Sequence, residues 1–385
     1  MSTTLKHLLA SIDCYLEKDI TELAINKPGE IYLEERGAWV SYPDQNITAA
    51  WLEALASAVA NKQSQSITVQ NPLLSTTLSS GLRIQIVKPP ACVAGTFIVA
   101  IRKPDSKTYT REQYRRSGFF DDITEEVEGG LAEHDIELMR LKKERKFEDF
   151  LDLAIKTKKN IVVSGATSTG KTTFTNHLLD CIPLEERIAT IEDSEELRLP
   201  HKNQLRLLYS KGGQGTATVT AGDLLEACLR LTPDRIILSE IRGAETFAFM
   251  DTIFSGHDGC ITSMHASSPL KAFRRMIIMF KKDKIGSGFD TKEVQSMLIS
   301  QVDIIVQIKR SINGRRYISE IYFDPLRQQR YAAGAMDGNA SSIETLLVKI
   351  SLALDSILEL LKKPSRIFAF FRHWLKTEAD GKGEE

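Results

Sequence analysis

The sequence predicts an α/β protein in which a parallel sheet, covered on both faces by helices, follows a smaller α+β domain. Three observations predict this. Short apolar runs at 160–164, 187–191 and 235–238 alternate with longer segments of helical periodicity, the pattern of strands buried on both faces. Ahead of them, residues 30–40 read as a strand, a tight Arg36-Gly37 turn and a second strand, followed by a helix over 48–61 with Thr48 as its N-cap. The composition, 42% hydrophobic and 26% charged over 385 residues, is that of a globular chain long enough for two or three cores.

Taken in order, residues 1 to about 20 place Leu5, Leu8, Leu9, Ile12 and Leu16 at helical spacing. Strand-like segments follow at 67–70, 82–87 and 96–102, the last two separated by Pro89-Pro90. An N-terminal α+β domain over 1–105 results. From 106 to 145 charges and glycines (Gly118, Gly129, Gly130) mark a linker in which Thr110 caps a short helix. The α/β domain is expected over 146–328, with a further strand at 261–264. Beyond it, 329–385 forms an extension whose residues Ile343, Leu346, Leu347, Ile350, Leu354, Ile357, Leu358 and Leu361 line one helical stripe. After Pro364, aromatic residues (Phe368, Phe370, Phe371, Trp374) mix with Arg366, Arg372 and Lys376. Such a stripe needs a cover. Packing on the α/β domain or a neighbouring copy is one solution, and peripheral association of 343–376 with a membrane surface is another.

Several function classes recede. A formal net charge of −1 gives no general attraction to nucleic acid, and no aromatic–basic groove is visible in the core, so direct nucleic-acid readout is not expected. The five cysteines form no C-x-x-C pair, which argues against a zinc knuckle or dithiol site and fits a reducing cytosol. The N-terminus does not read as a signal peptide, and no uncharged apolar run approaches a membrane span.

The chemistry concentrates at strand ends. Gly165, Ala166, Thr167, Ser168, Thr169, Gly170, Lys171 and Thr172 satisfy G-x-x-x-x-G-K-[ST], after an apolar strand and at the start of a helix that Thr173 continues. In such a loop, backbone N–H groups and the helix N-terminus converge on phosphates, and glycine lets the chain curl around them. Lys171 neutralises the β- and γ-phosphates of ATP, and the Thr172 hydroxyl ligates Mg²⁺. The next strand ends in Ile191-Glu192-Asp193-Ser194-Glu195-Glu196, and hydrolysis needs a group to orient water, for which Glu196 or Glu192 is the candidate. The strand at 235–238 runs into Ser239-Glu240. With serine where aspartate is usual, Glu240 is left to serve Mg²⁺ and its waters. His265 follows the strand at 261–264, placed to sense a γ-phosphate by hydrogen bonding.

With these four blocks in order, the chain resembles the traffic ATPases of type IV secretion and conjugation, members of the secretion NTPase superfamily alongside pilus motors and type II secretion ATPases. The resemblance spans roughly 15–325 and includes Arg83-Ile-Gln-Ile-Val-Lys-Pro-Pro90, Ile101-Arg-Lys-Pro104, 114–119 and Leu231-Thr-Pro-Asp-Arg-Ile-Ile-Leu-Ser-Glu-Ile-Arg-Gly243. It implies a RecA-like P-loop NTPase domain and a homo-hexameric ring. It also implies a place at the cytoplasmic face of the bacterial inner membrane among other subunits of a type IV machine. By the same resemblance, Arg83 and Arg102 reach the phosphates from the N-terminal domain, Glu196 positions water, Glu240 binds the Mg²⁺ shell and His265 reads the γ-phosphate. Arg230 and Arg242 become candidate subunit-interface arginines. Ala166 and Ser168 stand where the family commonly has glycine, as does Ser239. Two alternatives remain. One is a pilus or type II secretion motor, against which the 83–90 block and the absence of a four-cysteine element weigh. The other is a slowly hydrolysing, nucleotide-gated docking ring.

Overall fold

The computed structural model describes residues 3–104, 109–121, 123, 131–211 and 215–333. The predicted stripe at 343–361 and the aromatic–basic segment after it lie outside the described residues.

The chain opens with α1 (Thr3–Ala10) and α2 (Asp13–Leu16), then β1 (Glu22–Ile25), β2 (Glu30–Glu35), β3 (Ala38–Pro43), α3 (Ala49–Lys62), β4 (Leu73–Thr77), β5 (Arg83–Val87) and β6 (Ile98–Arg102). The six strands form one antiparallel sheet in the order β3-β2-β1-β6-β5-β4. Thr48 caps α3 as expected, its side chain accepting from Trp51 N. One core joins Leu5, Leu9 and Ile12 to Leu52, Leu55 and Val59 and to Leu23, Ile25, Ile86 and Val99 of the sheet.

The predicted strand at 67–70 is not one. Thr68 N donates to Asn71 O at 3.1 Å and Asn71 N to Thr68 Oγ1 at 3.1 Å, closing a turn. Pro72 follows, and β4 begins only at Leu73. Of the β-branched run Ile67-Thr68-Val69, only Ile67 packs against the core, and Val69 stays exposed. Propensity lost to turn chemistry. β1 was not anticipated at all, because its four residues, all buried, give no alternation to read.

After α4 (Arg111–Arg116), with the Thr110–Gln113 capping box, come α5 (Glu133–Lys143) and α6 (Phe147–Lys156). They lead into β7 (Ile161–Gly165), α7 (Lys171–Asp180), β8 (Ile188–Glu192), β9 (Gln204–Leu208), α8 (Ala221–Leu231), β10 (Arg235–Leu238), α9 (Glu245–Phe254), β11 (Ile261–Met264) and α10 (Pro269–Phe280). The described elements finish with α11 (Thr291–Gln301), β12 (Ile304–Arg310), β13 (Arg316–Phe323) and α12 (Pro325–Ala332). The second sheet runs β13-β12-β7-β11-β10-β8-β9, parallel except for the antiparallel edge strand β13. One face is covered by α8, α9, α10 and α11; α5, α6 and α7 cover the other, α5 burying Leu138 and Leu141 there. β7, β8, β10 and β11 are buried throughout, as continuous apolar strands require.

The two sheets meet across a buried seam. Val87, Ala91, Cys92, Ile98 and Ala100 share a core with α8 and β9, and residues 91–93 pair with the β9 edge through Leu208 N→Ala91 O at 2.9 Å and Val93 N→Arg206 O at 3.1 Å. The edge strand is thereby covered. At the centre of the seam lies Arg187, with no exposed surface. Its Nη1 donates to Asn26 Oδ1 at 2.9 Å and Asn203 Oδ1 at 2.5 Å, its Nε to Leu231 O at 3.1 Å, and its guanidinium stacks 4.9 Å from the Trp39 ring centre. Nearby, Thr232 donates to the buried Glu22 at 2.7 Å.

Candidate nucleotide site

The loop between β7 and α7 sits at the carboxyl end of β7, an interior strand flanked by β11 and β12. Gly170 takes φ +94 at the helix N-cap, a conformation that favours glycine. Gly165 is glycine for another reason: a Cβ there would lie 2.5 Å from Thr169 Oγ1 and 2.9 Å from Ile308 O. Thr169 Oγ1 donates to Ala166 O at 2.8 Å and closes the loop on itself. Ser168 also holds a left-handed conformation, φ +60, at one of the positions that glycine fills more easily.

Lys171 is almost fully buried at the foot of the loop. Its Nζ reaches Gly165 O at 3.2 Å, Ala166 O at 3.3 Å and His265 Nδ1 at 3.2 Å. These are long contacts, at the weak end of hydrogen bonding and exchangeable for stronger acceptors. Burial lowers its pKa; the charge of Glu240 opposes that and Arg242 adds to it.

Three strand ends on one side of β7 supply the rest. From β10, Glu240 Oε2 accepts from Arg242 Nη2 at 2.7 Å, and its Oε1 lies 3.1 Å from His265 Nε2. Burial pushes the Glu240 carboxyl up, but the Arg242 hydrogen bond and charge, with His265 and Lys171, outweigh it and hold it below the usual range. From β11, His265 spans Glu240 and Lys171. A proton on Nε2, facing the carboxylate, leaves Nδ1 to accept from the lysine. From β8, Asp193 Oδ2 accepts from Arg242 Nη1 at 3.0 Å, and Glu196 Oε2 accepts from Thr172 Oγ1 at 3.1 Å.

The two glutamates left open by the sequence take different places. Glu192 is fully buried; its Oε2 accepts from Glu196 N and Leu197 N, both at 2.8 Å, and its Oε1 lies 3.4 Å from Arg206 Nη2. Glu192 thus fixes the backbone that aims the exposed Glu196 at Thr172. Arg206 was missed by sequence reasoning, and so was the role of Asp193. The alternating pattern of β9 places Arg206 on a half-buried face, the one signal present.

A 220 Å³ cavity gathers Thr167, Ser168, Lys171, Thr172, Thr175, Asp193, Ser194, Glu196, Ser239, Glu240, Arg242, Ser263 and His265. Thr173 is exposed on the first turn of α7 and does not line it. Arg83, Arg102 and Arg230 are not brought there. They line a separate 480 Å³ cavity between β4, β5, β6 and α8, where Arg230 Nη1 donates to Ser75 Oγ at 2.6 Å. The expected phosphate contacts from Arg83 and Arg102 are therefore not made to this chain's own loop. Arg242 sits inside the loop's cavity, tied to Glu240 and Asp193.

The donor set suits Mg²⁺ bound together with phosphates. Its oxygens are hard: the Thr172 hydroxyl and the Glu240 carboxylate, whose buried Oε1 faces only the His265 ring at 3.1 Å. Among the described residues the neighbouring Ser239 Oγ is buried without a hydrogen-bond partner. Among the described residues no cluster of three or more His, Cys, Asp or Glu would hold a metal alone.

Residues 131–331 match the family described as Type II/IV secretion system protein. The chain is 37% identical to the type IV secretion system protein VirB11 of Bartonella henselae, over 83% of this chain and 92% of that one. It is 36% identical to PtlH of Bordetella pertussis, over 82% and 95% respectively. Its fold is similar to the crystal structure of the VirB11 ATPase from the Brucella suis type IV secretion system in complex with sulphate. The TM-score is 0.80 at 36% identity, covering 85% of this chain and 99% of that one. With the loop, its acidic partners and His265 in place, and with relatives this similar along more than four-fifths of its length, the chain belongs to the VirB11 family of type IV secretion ATPases.

Proposed function

We propose that the chain hydrolyses MgATP to ADP and phosphate as one subunit of a homo-hexameric ring. The ring would lie at the cytoplasmic face of the inner membrane and power a type IV secretion machine, in contact with that machine's other subunits. The observation that supports the reaction is the convergence of Lys171, Thr172, Glu196, Glu240 and His265 from four chain segments on one small cavity. Lys171 exchanges its main-chain acceptors for phosphate oxygens. Glu240, ionised at neutral pH, holds the Mg²⁺ water shell with Thr172, and Mg²⁺ when bound supplies charge neutralisation to the transferring phosphoryl group. Glu196, freed from Thr172, orients the attacking water. His265, between Lys171 and Glu240, reports whether a γ-phosphate is present.

In this reading 1–105 is the N-terminal domain, 106–145 the linker, 146–328 the ATPase domain and 329–385 an extension. Arg83 and Arg102, which line a cavity of their own, serve the nucleotide of a neighbouring copy, with Arg230 beside them. No described helix is long and apolar enough to cross a membrane; in this proposal membrane association is peripheral, through 343–376.

Phosphate release from purified protein tests the reaction. The wild type turns over ATP only with Mg²⁺, and Lys171→Ala loses at least about a hundredfold in turnover. Glu240→Gln binds ATP and hydrolyses it slowly. Wild-type turnover in Lys171→Ala overturns the assignment of the site.

A further inference from the structure

The hairpin of β12 and β13 carries a cation that the reaction scheme above leaves unused. Ile308 of β12 pairs in register with Gly165, so everything beyond Ile308 overhangs the phosphate loop. The turn is tight: Ser311 N donates to Arg315 O at 2.8 Å and Gly314 N to Ser311 O at 2.9 Å. Arg316, the first residue of β13, lies back across the loop, where a Cβ placed on Gly170 would be 3.0 Å from Arg316 Cδ and 3.6 Å from its Nε. The Arg316 side chain is exposed, and among the described residues it makes no hydrogen bond or ion pair. Every other charged side chain at the loop has a partner: Lys171 has His265, Arg242 has Glu240 and Asp193, and Glu196 has Thr172.

Sheet order says which part of a ligand Arg316 meets. Glu240, His265 and the β8 carboxylates come from strands on one side of β7; Arg316 comes from β12 and β13 on the other. Groups that act on the reacting phosphate occupy the first side. A nucleotide lying along the loop turns its non-reacting portion toward the second.

We propose that Arg316 is a nucleotide-binding residue that clamps the diphosphate portion shared by ADP and ATP, from the flank of the loop opposite the catalytic carboxylates. A guanidinium suits that task, since its planar fork makes charge-assisted bonds to phosphate oxygens. It also gives Gly170 a second reason to lack a side chain, because a methyl group there would push the clamp away. The inference rests on the phosphate loop's being the nucleotide site.

Titration of fluorescent ADP and ATP analogues, with steady-state hydrolysis alongside, tests it. Arg316→Ala weakens both nucleotides by about tenfold, raises KM by a similar factor and leaves kcat within about twofold, because binding common to ground and transition states is lost. Arg316→Lys, which keeps charge without the fork, recovers part of the affinity. Lys309→Ala and Arg315→Ala, cations on the same hairpin, stay within about twofold of wild type, and the affinity of Arg316→Ala depends less on salt than that of the wild type. Unchanged affinity in Arg316→Ala overturns the proposal. So does a fall in kcat at constant KM, or an equal loss in Lys309→Ala. A wild-type protein that binds neither nucleotide overturns instead the reading of the loop itself.

Discussion

Lys171 and Arg187 are both cations withdrawn from water, one under the phosphate loop and the other in the seam between the two sheets, yet their surroundings follow opposite plans. Lys171 holds three contacts of 3.2–3.3 Å, two to main-chain carbonyls and one to an imidazole, all replaceable. Beside it, Ser239 Oγ is buried without a hydrogen bond among the described residues, and Glu240 Oε1 faces only the His265 ring. Arg187 instead makes short, fixed contacts to the neutral amides Asn26 and Asn203 and to Leu231 O, over the face of Trp39. Only its Nη2 finds no acceptor among the described residues. Burial draws its pKa down to about 10, with Glu22, Asp234 and Tyr32 pulling the other way. A binding site keeps its valences open for a ligand to complete. Since an unmatched buried charge costs several kcal/mol, the seam matches most of its valences within the fold, leaving Arg187 Nη2 and Asn203 Nδ2 without partners among the described residues.

Substitution at Arg187 puts the largest strain on this contrast. Arg187→Ala leaves Asn26, Asn203 and Leu231 O without their central donor and removes the positive charge beside the buried Glu22, and we expect a loss of about 3–5 kcal/mol in unfolding free energy. Urea denaturation measures it. Lys171→Ala, by contrast, removes a cation whose contacts are long and exchangeable, so its unfolding midpoint stays close to wild type although turnover collapses. Equal stability losses in the two variants would erase the distinction.

How far these regions were legible beforehand follows from sequence distance. The loop is contiguous, so Gly165 through Thr172 reads directly, and Glu196, Glu240 and His265 read as strand-end residues because buried parallel strands announce themselves as short apolar runs. Arg187 was visible only as the start of such a run; its partners Asn26 and Asn203 come from another sheet and another strand, and nothing local links them. Arg316 was hidden likewise, because β13 is an antiparallel edge strand whose outward-facing residues look like any exposed hairpin. Arg83 and Arg102 were identifiable as strand residues that face each other in register. Which cavity they line depends on how two sheets pack, and single-chain patterning does not encode that.

A smaller effect is expected at Ser168. Its left-handed backbone costs roughly 1 kcal/mol for a residue with a Cβ, partly offset in glycine by greater freedom in the unfolded chain. Ser168→Gly should therefore raise stability by about 0.5–1 kcal/mol, read as a small upward shift in melting temperature. A decrease would mean that the serine hydroxyl contributes more to the loop than its strain removes.

The finest test is a slope with pH, at Glu22. Burial raises its pKa above the usual carboxylate value of 4.5, against the opposing influence of the Thr232 hydrogen bond and the Arg187 charge. The folded state then binds the Glu22 proton more tightly than the unfolded chain does. Its stabilising contribution is complete below the unfolded pKa and is lost as pH rises through the raised folded value. Measured against Glu22→Gln, which keeps the oxygen that accepts from Thr232 but cannot ionise, the wild type should gain unfolding free energy as pH falls from about 7 toward about 4.5. The same pH range should leave the Glu240 contribution intact, because that carboxyl is held below the usual range and loses its proton-free form only at still lower pH. A difference between wild type and Glu22→Gln that stays flat with pH would place Glu22 in a setting that welcomes charge. The seam would then be polar in the manner of the nucleotide site.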